Sequence, residues 1–153
     1  MRQFWSQAQT RYRERGMNMA GKKRFVYYQP NKKDLKNKFG DCTVRALTKV
    51  FDCSWVEAYL KMIPFCIEYQ TPNIFNLPCK LEREVMAKLG FEYHGVSNKK
   101  GTKRPTVKSF AKEHEHGKYI LNVANHEVAV EDGFYYDTWD SGECSLYGWY
   151  EKI

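Results

Sequence analysis

The sequence predicts a single α+β domain in which helices come first along the chain and pack on an antiparallel sheet that follows them. Between residues 42 and 90 apolar residues recur every three or four positions, which is the period of a helix with one buried face. After residue 117 the chain changes to β-branched and aromatic runs separated by turn residues, which is typical of strands. A length of 153 residues is enough for one core and short for two, so we place the domain at residues 24–153, after a basic arm of residues 1–23.

The composition sets limits on the partners and on the cellular compartment. A net charge of +7 is compatible with an anionic partner, although soluble domains often carry such a charge without binding nucleic acid. The five cysteines include no C-x-x-C pair, so they indicate neither a disulfide framework nor a zinc site and favour a reducing compartment. No apolar run of about eighteen residues and no secretory signal occurs. We therefore expect a cytoplasmic protein with no membrane, metal or cofactor requirement.

The first predicted elements are a strand, a polar loop and a helix. The run "RFVYY" at residues 24–28 is aromatic and β-branched, which favours a strand. Asp41 is a good N-cap residue, so we expect its carboxylate to accept a hydrogen bond from an amide of the first helical turn. Cys42 is then the first residue of the helix. The helical period places Arg45 and Lys49 on its outward face.

The middle of the chain predicts three further helices and one strand. Ser54 begins the sequence pattern of a capping box, and we expect Pro64 to end the helix that follows. The run "CKLEREVMAK" repeats the helical period and stops before Gly90. "FEYHGV" favours a short strand, and Thr106 is placed to cap a short fourth helix.

The last third of the chain predicts an antiparallel sheet. Its strand candidates are "KYILNVA", "HEVAVED", "GFYYDTWDS" and "SLYGWYEKI". Asp132-Gly133 is a typical two-residue hairpin loop. With that loop, His126 faces Trp139 across the hairpin, and both residues share a sheet face with Asp137. Asp137 is then the diagonal neighbour of His126, at roughly 7–8 Å between backbones, and two side chains can bridge that distance.

Cys42, His126 and Asp137 are the candidate catalytic residues. A thiol nucleophile needs a base within hydrogen-bond reach and a third group that orients the base. The positive end of the helix favours a thiolate at Cys42, and an imidazolium at His126 acts in the same direction. Asp137 would fix the tautomer of His126. Trp139 would cover the pair from water, and Asp41 and Trp139 are the residues expected to line the cleft.

An acyl-transfer site also needs donors for the developing oxyanion. The backbone amide of Cys42 supplies one candidate donor. The second is expected in the segment that precedes the helix, where Gln29 and Asn31 are the candidates and Asn37 is a third. The spacing does not select one of them.

The order of these residues resembles a known superfamily. A Cys at a helix start, a His that opens a strand of a late antiparallel sheet, and an Asp on the next strand resemble the papain-like cysteine peptidases, particularly small forms akin to the bacteriocin leader peptidases. The resemblance implies a papain-like fold with Cys42, His126 and Asp137 as the triad. Leu35 and Lys36 stand where that superfamily carries a Gln shortly before the Cys.

A second resemblance covers most of residues 25–153. The segments "YYQPN", "GDCTVRALTK", "SWVEAY" and "HEVAVEDGFYYDTWDS" resemble a group of small uncharacterised proteins of bacteriophages and prophages. This resemblance implies the same triad. For a phage-encoded protein, the expected compartment is the host cytoplasm.

Two functions from different classes follow. The first is hydrolysis or transfer at an amide or related acyl bond through a thioester on Cys42, with a peptide or a protein, including a host protein, as substrate. The alternative is a non-catalytic phage accessory or binding protein on the same fold, whose basic surface engages nucleic acid or a host protein. Salt-sensitive binding that survives Cys42→Ala would favour the alternative.

Overall fold

The computed structural model describes residues 23–153, so the predicted arm of residues 1–23 lies outside the described residues except for Lys23. The helices within this range are α1 (Cys42–Phe51), α2 (Trp55–Glu68), α3 (Cys79–Lys88) and α4 (Val107–Glu113), with a turn of 3₁₀ helix at Ile74–Asn76. The strands are β1 (Phe25–Tyr27), β2 (Phe91–Gly95), β3 (Lys118–Val123), β4 (His126–Glu131), β5 (Phe134–Asp137) and β6 (Gly148–Lys152). The predicted α+β class is confirmed.

The six strands form one mixed sheet in the order β1-β5-β4-β3-β6-β2. The prediction of a purely antiparallel sheet made by the end of the chain is wrong, because β1 and β2 join its two edges and β1 runs parallel to β5. The helical region separates β1 from β5 along the chain, so no short turn imposes an antiparallel pairing between them. Phe25 of β1 is paired with Tyr135 of β5, and their ring centroids are 5.7 Å apart.

Helices cover both faces of the sheet. On one face α1, α2 and α3 form a core with β3, β4 and β6, whose buried members include Val44, Leu47, Met62, Val85, Ile120, Ala129 and Tyr150. On the other face α4 forms a second core, whose members include Val107, Phe110, Ala111, Leu121, Val128 and Val130. Because successive residues of a strand point to opposite faces, β4 contributes Ala129 to the first core and its two neighbours to the second.

The second helix does not end where the sequence indicated. Its capping box forms. The Ser54 hydroxyl accepts a hydrogen bond from the backbone N–H of Glu57, and the Glu57 carboxylate accepts one from the backbone N–H of Ser54. Pro64, however, lies inside α2, which continues to Glu68. Proline removes one backbone donor and costs about 3 kcal/mol in a helix interior. The residues after it, including Phe65, pack against the first core and offset that cost.

No helix within residues 23–153 is both long enough and apolar enough to cross a membrane.

Candidate active site

The β4–β5 hairpin positions His126 and Asp137. Val130 pairs with Tyr135 next to the loop, which is the register expected from the sequence. Asp132 and Gly133 both have positive φ, of 48° and 82°, as a tight two-residue hairpin loop requires. This register brings His126 Nε2 within 2.7 Å of Asp137 Oδ2.

The thiol of Cys42 completes the cluster from the start of α1. Cys42 is the first residue of that helix, as expected. Cys42 and His126 both line an open cavity of about 360 Å³, and Cys42 is among the neighbours that raise the pKa of His126. Since Asp137 occupies Nε2, Nδ1 is the ring nitrogen available to the thiol. The three predicted catalytic side chains therefore lie in one connected arrangement.

Trp139 flanks the imidazole on the cavity side. Its ring centroid is 5.5 Å from that of His126, and it lines the same cavity. The indole is half exposed, at 49% of its accessible surface. Trp139 thus shields part of the His126 ring and leaves the mouth of the cavity open to a ligand.

The carboxylate of Asp137 is buried and held from several sides. Oδ1 accepts the backbone N–H of Thr138 at 2.7 Å, and Oδ2 accepts the hydroxyl of Ser141 at 2.8 Å. The Arg45 guanidinium lies 3.7 Å from Oδ1. Sequence reasoning found neither Ser141 nor Arg45. These contacts fix the carboxylate toward His126.

The charge state of His126 follows from its neighbours. Burial disfavours the imidazolium, but the hydrogen bonds to Asp137 and to Cys42 favour it more strongly, so the pKa of His126 is raised to about 9. His126 is therefore protonated at neutral pH. An imidazolium beside a thiol is the arrangement that stabilises a thiolate.

We expect the imidazole of His126 to lose its proton with a midpoint of about 9, against about 6.5 for an unperturbed histidine. Because the folded-state pKa is raised, the imidazolium persists from acid pH up to that midpoint and is lost above it. The measurement is the pH dependence of the ring carbon shifts by nuclear magnetic resonance, with His126→Gln used to assign the signal. A midpoint near 6.5 would contradict the described hydrogen bonds.

Asp41 does not play the role expected from the sequence. It precedes α1 in the N-cap position, but its side chain makes no capping hydrogen bond. Its buried carboxylate instead accepts hydrogen bonds from Arg45, from Asn31 Nδ2 at 3.0 Å and from Trp55 Nε1 at 2.8 Å. Asp41 is also not among the residues that line the cavity, whereas its neighbours Gly40 and Cys42 are. Three donors compete successfully with the helix amides for one carboxylate.

Arg45 was expected on the outward face of α1 and is instead buried. Its guanidinium pairs with Asp41, one helical turn earlier, and also approaches Asp137. Two buried carboxylates thus hold the Arg45 side chain in the interior. The helical period of the sequence does not predict where these carboxylates lie. Lys49 likewise turns to the sheet, where it pairs with Glu131 of β4.

Replacing Arg45 with Ala is expected to lower the free energy of unfolding by about 3 kcal/mol, because it leaves the buried Asp41 carboxylate without a counter-ion and removes one of the two cations beside Asp137. Denaturant unfolding measures the change. Arg83→Ala is the matched control, since the Arg83 guanidinium is exposed and stacks on the ring of Tyr93, and we expect a loss below about 1 kcal/mol there. Equal losses in the two variants would contradict the structural role of Arg45.

The three oxyanion candidates have different positions. The Asn31 side-chain amide donates to Asp41 and does not line the cavity. Gln29 does not line it either, and its Nε2 donates to Asn37 Oδ1 at 2.6 Å. Asn37 does line the cavity, and the bond from Gln29 leaves the Asn37 amide nitrogen free to serve as the donor. Of the three candidates, the structure thus places Asn37 on the same cavity as Cys42, and it does not place Gln29 or Asn31 there.

Glu127 is a contact of the thiol that sequence reasoning missed. Its Oε2 lies 3.0 Å from Cys42 Sγ and 3.1 Å from the hydroxyl of Thr43. Glu127 shares a strand face with Ala129, on the side of the sheet that α1 covers. Strand parity assigns Glu127 and His126 to opposite faces of β4. Only the packing of α1 on that face shows that Glu127 reaches Cys42.

The site brings a thiol, an imidazole and a carboxylate together beside one cavity. Within residues 23–153 no group of three or more His, Cys, Asp or Glu side chains is placed to hold a metal ion. Comparison of the chain with protein-family models, with curated proteins and with solved structures gives no match. The geometry of Cys42, His126 and Asp137 is thus the basis for assigning a function.

Proposed function

We propose that the protein is a thiol-dependent hydrolase or acyltransferase of the papain-like type, which attacks an amide or related acyl bond with Cys42. The observation that carries the proposal is the connected set of Cys42, His126 and Asp137 beside one open cavity, with 2.7 Å between His126 Nε2 and Asp137 Oδ2. The raised pKa of His126 supports it, because an imidazolium at neutral pH is the proton donor that a leaving amine needs.

The reaction proceeds in two halves. Sγ of Cys42 attacks the carbonyl carbon, the carbon–nitrogen bond breaks, and the leaving nitrogen takes the proton of His126. A thioester remains on Cys42. Neutral His126 then removes a proton from water or from an acceptor amine, which attacks the thioester and restores the thiolate and the imidazolium. Asp137 holds the ring in place throughout.

The developing oxyanion faces the start of α1. Because the Asp41 carboxylate does not cap the helix, the amides of the first turn remain available to a ligand. In this proposal the backbone amide of Cys42 and the side-chain amide of Asn37 are the two donors. Gln29 is a positioning residue that orients Asn37.

The test is acylation of the native protein by p-nitrophenyl acetate, which is followed by nitrophenolate release and by intact mass. We expect a rapid burst and the gain of one acetyl group, with Cys42 identified by peptide mapping. Cys79→Ser is the matched control, because Cys79 is also the first residue of a helix and is exposed, yet makes no hydrogen bond to a histidine within residues 23–153. Loss of the burst in Cys42→Ser and its retention in Cys79→Ser is the expected result. A burst that survives Cys42→Ser would overturn the proposal.

A further inference from the structure

We propose that Glu127 makes this site select acyl donors that carry a free α-ammonium group next to the scissile carbonyl, such as the N-terminal residue of a peptide. This inference rests on the proposed function of Cys42. It concerns which acyl groups react, and the proposed function itself does not require Glu127.

The first observation is that the charge of Glu127 is uncompensated. Glu131 lies on the same face of β4 and is paired with both Lys49 and Lys118. Glu127 has no basic side chain within ion-pair distance among residues 23–153, and its hydrogen-bond partners are a thiol and a hydroxyl. In a chain of net charge +7 this leaves a negative group beside the nucleophile that a cation from outside can neutralise.

The second observation is the acidity of the surroundings. Glu82 is a neighbouring carboxyl group, and burial, helped by the nearby charge of Glu127, raises its pKa. Its Oε1 accepts a hydrogen bond from the hydroxyl of Tyr150 at 2.5 Å. The Arg83 guanidinium acts on Glu82 but forms no ion pair with Glu127, so within residues 23–153 Glu127 has no cationic side chain at ion-pair distance.

The third observation is the side of the thiol on which Glu127 lies. His126 must protonate the leaving group, so the leaving group lies on the side of His126, Trp139 and the cavity. Glu127 is not among the residues lining that cavity, and strand parity directs it to the opposite face of β4. In this proposal the leaving group occupies the cavity, and the acyl part of the substrate lies on the side of Cys42 where Glu127 is found.

The distance then selects the kind of cation. Glu127 Oε2 is only 3.0 Å from Sγ, so the charge that it meets must lie close to the carbonyl carbon that Sγ attacks. An α-ammonium is two bonds from that carbon, whereas the ammonium of a lysine side chain is about six bonds away. An α-ammonium also neutralises the negative charge that Glu127 places beside the sulfur.

The experiment compares two irreversible probes, leucine chloromethyl ketone with a free α-amine and its N-acetyl derivative. Labelling of Cys42 is followed by intact mass, and each rate is divided by the rate of the same probe with a small free thiol. We expect the corrected preference for the free-amine probe to be about tenfold in the wild-type protein and to vanish in Glu127→Gln. Because the comparison is a ratio, any change in the intrinsic reactivity of Cys42 cancels.

Glu113→Gln is the matched control, since Glu113 is an exposed carboxylate on α4, which packs on the other face of the sheet, and this variant should keep the preference. Equal labelling by the two probes in the wild-type protein would overturn the role of Glu127. It would not contradict the proposed role of Cys42 as the nucleophile. A preference that survives Glu127→Gln, or a preference for N-acetyl-lysine chloromethyl ketone over both probes, would also overturn it. Failure of every probe to label Cys42 would contradict the proposed function itself.

Discussion

Replacing His126 with Ala is expected to lower the rate at which iodoacetamide alkylates Cys42 at pH 6 by about 100-fold. His126 carries a positive charge at this pH, since its pKa is about 9, and it lines the same cavity as the thiol. An ordinary thiol with a pKa of about 8.5 is less than about 1% thiolate at pH 6, and the thiolate is the reacting form. Without the imidazolium, the carboxylate of Glu127 is the charged group that remains in contact with Sγ.

Cys79 of the same protein is the internal control for this prediction. Cys79 also begins a helix but has no histidine partner among the described residues, so its alkylation rate should be the same in the wild-type and the variant protein. His126→Gln, which keeps a polar side chain of similar reach, should behave like His126→Ala. If Cys42 reacts equally fast in all three proteins, the imidazolium does not activate the thiol.

Replacing Asp137 with Asn is expected to slow acylation of Cys42 by p-nitrophenyl acetate at pH 7 by about 100-fold. The hydrogen bond to Asp137 is among the causes that raise the pKa of His126, and a neutral amide cannot stabilise the imidazolium in the same way. His126 then loses its proton at a lower pH, and the thiolate loses its partner. The nitrophenolate burst measures the rate, and circular dichroism establishes that the variant is folded.

Asp140→Asn is the matched control for that change. Asp140 is three residues further along, accepts hydrogen bonds from the Tyr135 hydroxyl at 2.6 Å and from the Gly142 amide, and does not contact His126. We expect its acylation rate to stay within about twofold of wild type. Ser141→Ala keeps the Asp137 carboxylate but removes one of its donors, so an intermediate loss is expected there. Equal losses in Asp137→Asn and Asp140→Asn would show that Asp137 has no special role.

The hairpin and its side-chain pairing could be predicted because local signals determine them. The Asp132-Gly133 pair determines the loop type, the loop determines the register, and the alternation of a strand then assigns Asp137 to the face of His126. Cys42 could be placed at a helix start for a similar reason, from a turn signal followed by a helical period. None of these steps needs knowledge of how distant segments pack.

The remaining features depend on tertiary contacts that the sequence pattern does not contain. Asp41 has the residue type of an N-cap, but Arg45, Asn31 and Trp55 occupy its carboxylate once the elements pack together. Glu127 reaches Cys42 only because α1 lies on its face of β4.

The parallel pairing of β1 with β5 likewise joins segments about a hundred residues apart, where no turn chemistry applies. The continuation of α2 through Pro64 depends on the packing of the residues beyond it. In each of these cases a long-range contact overrides a local preference.

The most direct test of the account is site-resolved alkylation of the native wild-type protein at pH 6, with the five cysteines quantified separately by peptide mapping. Exposure alone would make Cys79 the faster site, because it is exposed and Cys42 is half-buried, and both begin helices. We expect the reverse, with Cys42 modified about 100-fold faster than Cys79 at pH 6, where His126 is protonated and an ordinary thiol is almost entirely un-ionised. Modification of Cys42 at or below the rate of Cys79 would contradict the claim that Cys42 is an activated nucleophile.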